Sequence, residues 1–345
     1  MCESRRGCYP AAPKGNPSPV LSPDTLKLDA AAAVTEIEQA IREQVLGTLR
    51  RRGAVVGVSG GIDSSVVATL CARALGRERV LALLMPERDS GDAGLALGRA
   101  LGAHLGVATL VEDIGPLLAA AGCYERQAAA IRLVFPEYGE GYRCKVALPP
   151  ILDGERLNVS QLVIETPSGE RKSARLPLEA YLQLIAATNF KQRARAMMEY
   201  HHADRLHYAV AGTPNRLEYD QGFFVKQGDG AADFKPIAHL YKTQVYQLAE
   251  FLGVPQAIRS QPPTTATFSL PQTQEEFFFG LPYGQMDLCL YGRNRGVPAA
   301  EVAGATGLTA AQVERVYRDI DQKRRTTRPL HLGPLLVRPV PEVGD

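Results

Sequence analysis

The stretch Ser59-Gly60-Gly61-Ile62-Asp63-Ser64-Ser65 holds the densest group of chemically useful residues in the chain. Successive glycines allow a left-handed backbone and turn N–H groups outward as an anion nest. The hydroxyls of Ser59, Ser64 and Ser65 can donate to phosphate oxygens, and a helix starting here would add the positive end of its dipole. The lysine of a G-x-x-x-x-G-K-[ST] loop is missing, and an acid, Asp63, is present instead. An acid beside phosphates is useful through a cation, so Asp63 is a candidate Mg²⁺ ligand. The competing reading is a plain helix-capping turn with Asp63 as a first-turn acid. Glu218 is a second hard acid, close behind the turn Gly212-Thr213-Pro214-Asn215. Lys226 and Lys242 can supply charge opposite phosphates or be merely solvated. Asp233 can equally form a turn, and Thr213 can equally be a satisfied hydroxyl at a strand end. No side chain stands out as a covalent nucleophile, since Cys71 falls inside the helix after the Gly-rich turn.

These residues need elements to position them. Ala33, Ile37, Ile41, Val45 and Leu49 recur every four residues and predict an amphipathic helix between Asp29 and Arg52. AVVGV (54–58) reads as a buried strand running into the Gly-rich turn, followed by a helix to Arg73 that stops near Gly76. Strands follow at 80–86 and 107–114 with a helix over 95–106 between them. Helical periodicity returns over 177–205, a fourth strand over 209–212 and a helix over 241–252. The alternation predicts an α/β fold with a doubly wound parallel sheet. Ligands of such sheets bind beyond the carboxyl ends of the strands, and Asp63 and Glu218 follow two different strands to that edge.

Residues 1–25 are rich in Pro, Gly, Ser and charge and read as a mobile arm. The main domain is expected over 26–327, with an insert over about 123–176 and a Pro-rich extended tail over 328–345. Within the insert, the alternation Leu157–Thr166 and the turn Pro167-Ser168-Gly169 predict a small β-hairpin. Short helices and turns up to about Arg325 form a helical C-terminal elaboration. No internal repeat is evident.

Composition narrows the function. Over 345 residues, 39 Lys+Arg stand against 37 Asp+Glu, a net charge of +2 that argues against a dedicated nucleic-acid binder. No apolar run reaches the roughly 18–20 residues of a membrane span, and no signal-peptide core opens the chain, which reads as cytoplasmic. The six cysteines form no CxxC pair, so reduced thiols are expected.

With these residues in view, the chain resembles a known family. SGGIDSS is similar to the pyrophosphatase loop of enzymes that split ATP into AMP and pyrophosphate, with a sheet of adenine-nucleotide alpha-hydrolase type. Residues 189–243 contain N-x-x-x-R-x-R, G-T-x-N-x-x-E, K-x-G-D-G-x-x-D and L-x-K-T in that order, and PPTTAT (262–267) and LPYGQMD (281–287) follow. The set resembles ammonia-dependent NAD synthetases. The resemblance implies a ligase that activates deamido-NAD as an acyl adenylate and amidates it with ammonia, free or from a separate glutaminase. It implies ATP as co-substrate, Mg²⁺, and a homodimer. Gly57, Ser59, Gly60, Gly61, Asp63 and Ser64 would cradle the phosphates. Asp63 and Glu218 would hold Mg²⁺. Thr213, Lys242 and Thr264 would contact ATP, with Asp63 and Lys242 as the catalytic pair. Arg193, Lys226, Asp233 and Lys323 would hold the substrate.

Three features depart from the family pattern: the insert, Gln322 where a His precedes Lys323, and KRRTTRPLH (323–331) at the C-terminal end. They leave open a related amide ligase acting on another carboxylate. A tRNA-modifying pyrophosphatase would want a basic face and Cys pairs, and a regulatory nucleotide binder would not need Asp63, Glu218, Lys242 and Arg193 all intact.

Overall fold

A computed structural model describes residues 21–148, 151–152, 160–264 and 267–342. Its centre is a parallel sheet of four strands, β1 (Ala54–Gly57), β2 (Val80–Leu84), β3 (Ala108–Val111) and β7 (Ala209–Ala211), in the order β3-β2-β1-β7. Register pairs Val55 with Leu81 on one side and with Val210 on the other. The chain winds outward from β1 to β3 and then returns to the opposite side of β1, so the order of strand addition reverses between β1 and β7 while all four strands stay parallel.

Strand periodicity sends alternate residues to opposite faces, and both faces are covered. Val56, Ala82 and Leu84 face a layer containing α1 (Ala30–Arg42), α2 (Ile62–Leu75), α3 (Asp92–Leu105) and α8 (Lys242–Phe251). Val55, Leu81, Leu83 and Val210 face α4 (Gly115–Ala120), α5 (Cys123–Arg132) and the long α6 (Leu178–Leu206). Val55, Val56 and Leu83 have no exposed surface, and each such side chain contributes about 1.5–3 kcal/mol by leaving water. The doubly wound α/β expectation holds. α1 ends at Arg42 and continues as a wider π turn over Glu43–Thr48, which fits the unbroken spacing of Val45 behind it.

The insert is more than a hairpin. β4 (Arg143–Ala147), β5 (Gln161–Glu165) and β6 (Arg171–Arg175) form an antiparallel sheet in that order, with the turn at 166–170. The predicted alternation starts at Leu157, and residues 157–159 lie outside the described residues. The unread strand is β4. Its Cys144 and Val146 point into a satellite core with Leu162, Ile164, Leu184 and Phe268. At the C-terminal end, α10 (Tyr283–Arg295), α11 (Ala299–Thr306) and α12 (Ala310–Thr327) pack with Leu217 of α7 (Arg216–Gln221). A short helix α9 (Gln256–Arg259) leads towards them from α8.

Two terminal segments behave differently from their composition. Residues 21–25, assigned by sequence to the arm, are packed: Leu21 and Leu26 are buried against the C-terminal helices. Two leucines at that spacing outweigh the polar residues between them. The rest of the arm, 1–20, lies outside the described residues. In the tail, Arg328–Leu330 forms one 3₁₀ turn, and Lys226 Nζ donates to the carbonyls of Pro329 (2.9 Å) and Leu332 (2.8 Å). Among the described residues no helix is long and apolar enough to cross a membrane. Cys71, Cys123, Cys144 and Cys289 are free and buried.

Candidate active site

A cavity of about 1310 Å³ opens along the carboxyl edge of the parallel sheet. Gly57 to Ser64 line it after β1, Met85 to Gly94 bound it after β2, and Thr213, Pro214 and Glu218 follow β7. Thr264 and Lys323 line it from the C-terminal part, and Val146, Leu148, Ser160, Arg175 and Leu176 from the insert.

The Gly-rich turn is built as its sequence requires. Gly60 has φ +83°, and a Cβ there would sit 2.5 Å from the Gly94 carbonyl oxygen. Only glycine meets both demands. Gly61 caps α2, whose first turn carries Asp63. The serines divide their roles. Ser65 is fully buried, donates to the Gly61 carbonyl at 2.8 Å, and does not line the cavity, so its expected phosphate contact is corrected to a structural one. Ser64 Oγ donates to the same carbonyl at 3.1 Å, and the Ser59 N–H donates to Ser64 Oγ at 3.3 Å. These bonds fix the turn's shape while Ser59 and Ser64 stay on the cavity wall.

Asp63 is the meeting point of three elements. One oxygen accepts from Asn215 Nδ2 at 3.1 Å, and the other is ion-paired with Lys242 Nζ at the start of α8. Lys242 has no exposed surface and, unlike Asp63 and Glu218, does not itself line the cavity; it meets the wall only through Asp63, so its expected direct ATP contact is not formed by this geometry. Burial works against its ammonium, but the Asp63 and Glu218 carboxylates outweigh that and hold its pKa above the ordinary lysine value. Glu218 is buried, not the solvated loop acid its position allowed. Oε2 accepts from the Asn215 N–H at 3.0 Å and Oε1 from Gln274 Nε2 at 3.0 Å. Asn215 Oδ1 in turn accepts from the N–H groups of Leu217 (2.9 Å) and Glu218 (3.3 Å), closing a capping box on α7. Burial and the neighbouring Asp63 push Glu218 up to about 8.

The donor set suits one hard ion held partly by ligand. No group of three or more His, Cys, Asp or Glu gathers among the described residues. Mg²⁺ commonly takes one or two carboxylates and fills its shell with water and substrate phosphates. Asp63 and Glu218, both contacting Asn215 beside an anion nest, fit that pattern.

The remaining expected residues separate into two groups. Lys323 lines the cavity, is paired with Asp319 at 2.7 Å and donates to the Phe278 carbonyl at 2.7 Å. Burial lowers its pKa against the opposing effect of Asp319. Arg193, Lys226 and Asp233 do not line the cavity. Arg193 Nε donates to the Lys226 carbonyl at 3.3 Å, and Lys226 anchors the tail. Asp233 accepts from the Val210 N–H at 2.7 Å and from the Tyr200 hydroxyl at 3.4 Å. These bonds give the three residues structural work on a neighbouring surface.

Other polar groups at the site escaped sequence reasoning. Asn215 was one, although Asn three residues before Glu is the capping-box spacing. Asp287 is another: it is fully buried and accepts from the N–H groups of Lys242 (3.3 Å) and Thr243 (2.7 Å), fixing the start of α8. Glu199 and Asp229 also line the cavity, beside Arg195. Burial and then Asp229 raise Glu199 to about 8, and burial raises Asp229 to about 6. Asn215, Asp287, Arg195 and Asp229 all stood inside the quoted motifs without an assigned role, whereas nothing in the sequence marked Glu199.

A family pattern described as NAD synthase matches residues 33–133 and 156–328. The chain belongs to the NAD synthase family. The unmatched residues 134–155 fall inside the insert and include β4 of this family member. Curated relatives span almost the same length. The NH(3)-dependent NAD(+) synthetase of Mesorhizobium japonicum is 61% identical over 311 residues, covering 90% of this chain and 98% of the relative. The protein of that description from Rhizobium rhizogenes is 58% identical over 330 residues, covering 94% and 99%. Among solved structures, an NH3-dependent NAD synthetase from Campylobacter jejuni aligns with TM-score 0.59 at 22% identity, covering 90% of this chain and all (100%) of that one. A synthetase from Francisella tularensis described as acting in NMN synthesis aligns with TM-score 0.61 at 21% identity, covering 91% and 100%. At those identities the NAD synthase fold is what the two structures share with this chain.

Proposed function

We propose that the protein is an ammonia-dependent NAD synthetase, a carbon–nitrogen ligase that uses ATP to amidate deamido-NAD. The observation that carries the reading is the convergence of Asp63, Lys242, Asn215 and Glu218 at the end of a Gly-rich anion nest. Relatives that share 61% and 58% of their residues bear that activity in their names.

The deamido-NAD carboxylate attacks the α-phosphorus of ATP, forming an acyl adenylate as the bond to pyrophosphate breaks. Ammonia attacks the acyl carbon, AMP leaves, and the ammonia nitrogen sheds a proton to give the amide. The backbone nest of Gly57 to Gly61, with Ser59 and Ser64, cradles the phosphates, and Thr213 and Thr264 contact the nucleotide. Lys242, held as an ammonium, stabilises charge that develops on the departing pyrophosphate. Asp63 and Glu218 would hold Mg²⁺, which would neutralise phosphate charge when bound. The protein's contribution is orientation and charge stabilisation.

Lys323, on the cavity wall, is read as a substrate contact. Arg193, Lys226 and Asp233 enter the proposal as a substrate-contacting surface outside the cavity, and the chain as a homodimer. Residues 26–327 form the catalytic domain with the insert as part of its wall, and the chain works in the cytoplasm on free ammonia or ammonia from a separate glutaminase. Pyrophosphate release measured with deamido-NAD, ATP and ammonium tests the reading. Release that depends on all three supports it, and turnover only with a different carboxylate overturns the substrate assignment.

A further inference from the structure

Lys191 sits mid-way along α6 with only 1% of its surface exposed, among the largest fully buried side chains. Its ammonium has three partners from two other parts of the chain. It donates to Glu87 at 3.1 Å and to Asp89 at 2.6 Å, both in the loop after β2. It also donates to the Thr267 carbonyl at 2.9 Å. The cluster is closed by Arg88, which pairs with Asp89 at 3.4 Å and lies 3.8 Å over the Tyr124 ring. Tyr124 in turn donates its hydroxyl to Glu87 at 3.1 Å. Two acids thus face two bases, and the Glu87 side chain has no exposed surface at all.

A buried ion pair is a weak contributor to net stability but fixes geometry, because each charge must keep its partner. Here the geometry concerns the cavity. Asp89, Ser90, Gly91 and Gly94 line one wall, Thr267 to Leu270 a second, and Thr188, Gln192 and Arg195 of α6 a third. Gly94 is also the residue that packs against Gly60 of the anion nest. We infer that Lys191 is a positioning residue for nucleotide binding: its ammonium clasps the loop after β2 and the chain at Thr267 to α6, setting the cavity walls before ATP arrives. The inference rests on the reading of the cavity as the ATP site.

The test uses the full chain with Lys191→Met, and with Asp89→Asn as a milder variant if the first folds poorly. Hydrogen exchange should show peptides over 86–94 and 267–270 losing protection together, while β1 and β2 keep theirs. KM for ATP should rise by roughly tenfold or more, with kcat changing less, as misplaced binding groups predict. Adding Glu87→Gln to Lys191→Met removes the stranded charge, and should restore melting temperature while leaving KM raised. Protection lost evenly through the fold, an unchanged KM for ATP, or KM recovering along with melting temperature would each overturn the clasp. Wild-type protein without deamido-NAD-dependent turnover would sink the proposed function instead, and the exchange pattern would still judge the clasp.

Discussion

Lys242 and Asp63 lie 179 residues apart in the chain and form an ion pair at the end of the anion nest. The pair joins the first turn of α2 to the first turn of α8. Both helices face the same side of the sheet, so the contact follows from the winding of the strands. Lys242 is fully buried, which works against its charge, and Asp63 and Glu218 more than offset that burial.

Replacing Asp63 with Asn should therefore damage two functions at once, the proposed hold on Mg²⁺ and the pairing with Lys242. Pyrophosphate release is expected to fall by about 10²–10³, the usual loss for one preorganised electrostatic contact. The circular dichroism spectrum should stay native. Near-normal release at saturating Mg²⁺ would contradict the assignment.

Glu218 gives a pH dependence with a definite sign. Its pKa is raised in the folded protein from 4.5 to about 8, so the folded state holds the proton more tightly than the unfolded chain. The stability this gives is complete below the unfolded value and is lost as pH climbs through the folded one. Glu199, also raised to about 8, contributes with the same sign. Melting temperature of the ligand-free protein should fall across this window, and Glu218→Gln should flatten the fall in part. Mg²⁺ competes with the same proton, so its affinity should rise with pH over the same range. A melting curve for Glu218→Gln that tracks wild type at every pH would refute the assignment.

The two loop glycines should respond differently to alanine. A Cβ at Gly60 meets the Gly94 backbone at 2.5 Å and demands a left-handed residue, whereas at Gly61 it meets only Ser59 Oγ at 3.3 Å. Gly60→Ala should cost about 1–2 kcal/mol in backbone strain alone and weaken ATP binding in calorimetry. Gly61→Ala should be the milder change, and the reverse order would refute the fit.

Asn215→Ala removes the cap of α7 and leaves Asp63 Oδ1 without its amide donor. Urea unfolding should show a loss of about 1–2 kcal/mol, typical of a lost N-cap. Pyrophosphate release should fall as well, because Glu218 depends on the same turn. A variant with wild-type stability would mean that the capping box is dispensable.

Much of this protein was legible in its sequence because local rules govern it. Strand and helix periods marked all four parallel strands and the long helices up to α8, and Gly60 announced a backbone that only glycine adopts, whereas α10 and α12, of 13 and 18 residues, lie in a stretch that reads as short helices and turns. The order of the motifs along the chain is enough to point to the family. Other features depended on long-range contacts. Strand β4 was hidden because its alternation Arg143 to Ala147 gains meaning only against β5 and Phe268. Leu21 looked like part of a polar arm until Leu26 and the C-terminal helices supplied a surface to cover it. Arg193, Lys226 and Asp233 carried motif positions, yet their side chains and backbones are engaged with one another's surroundings outside the cavity. Sequence determined which residue types could bind phosphate and a hard cation. Tertiary structure alone decided that Asp63, Asn215, Glu218 and Lys242 share one buried point, since burial and charge pairing arise from distance in space and not from spacing along the chain.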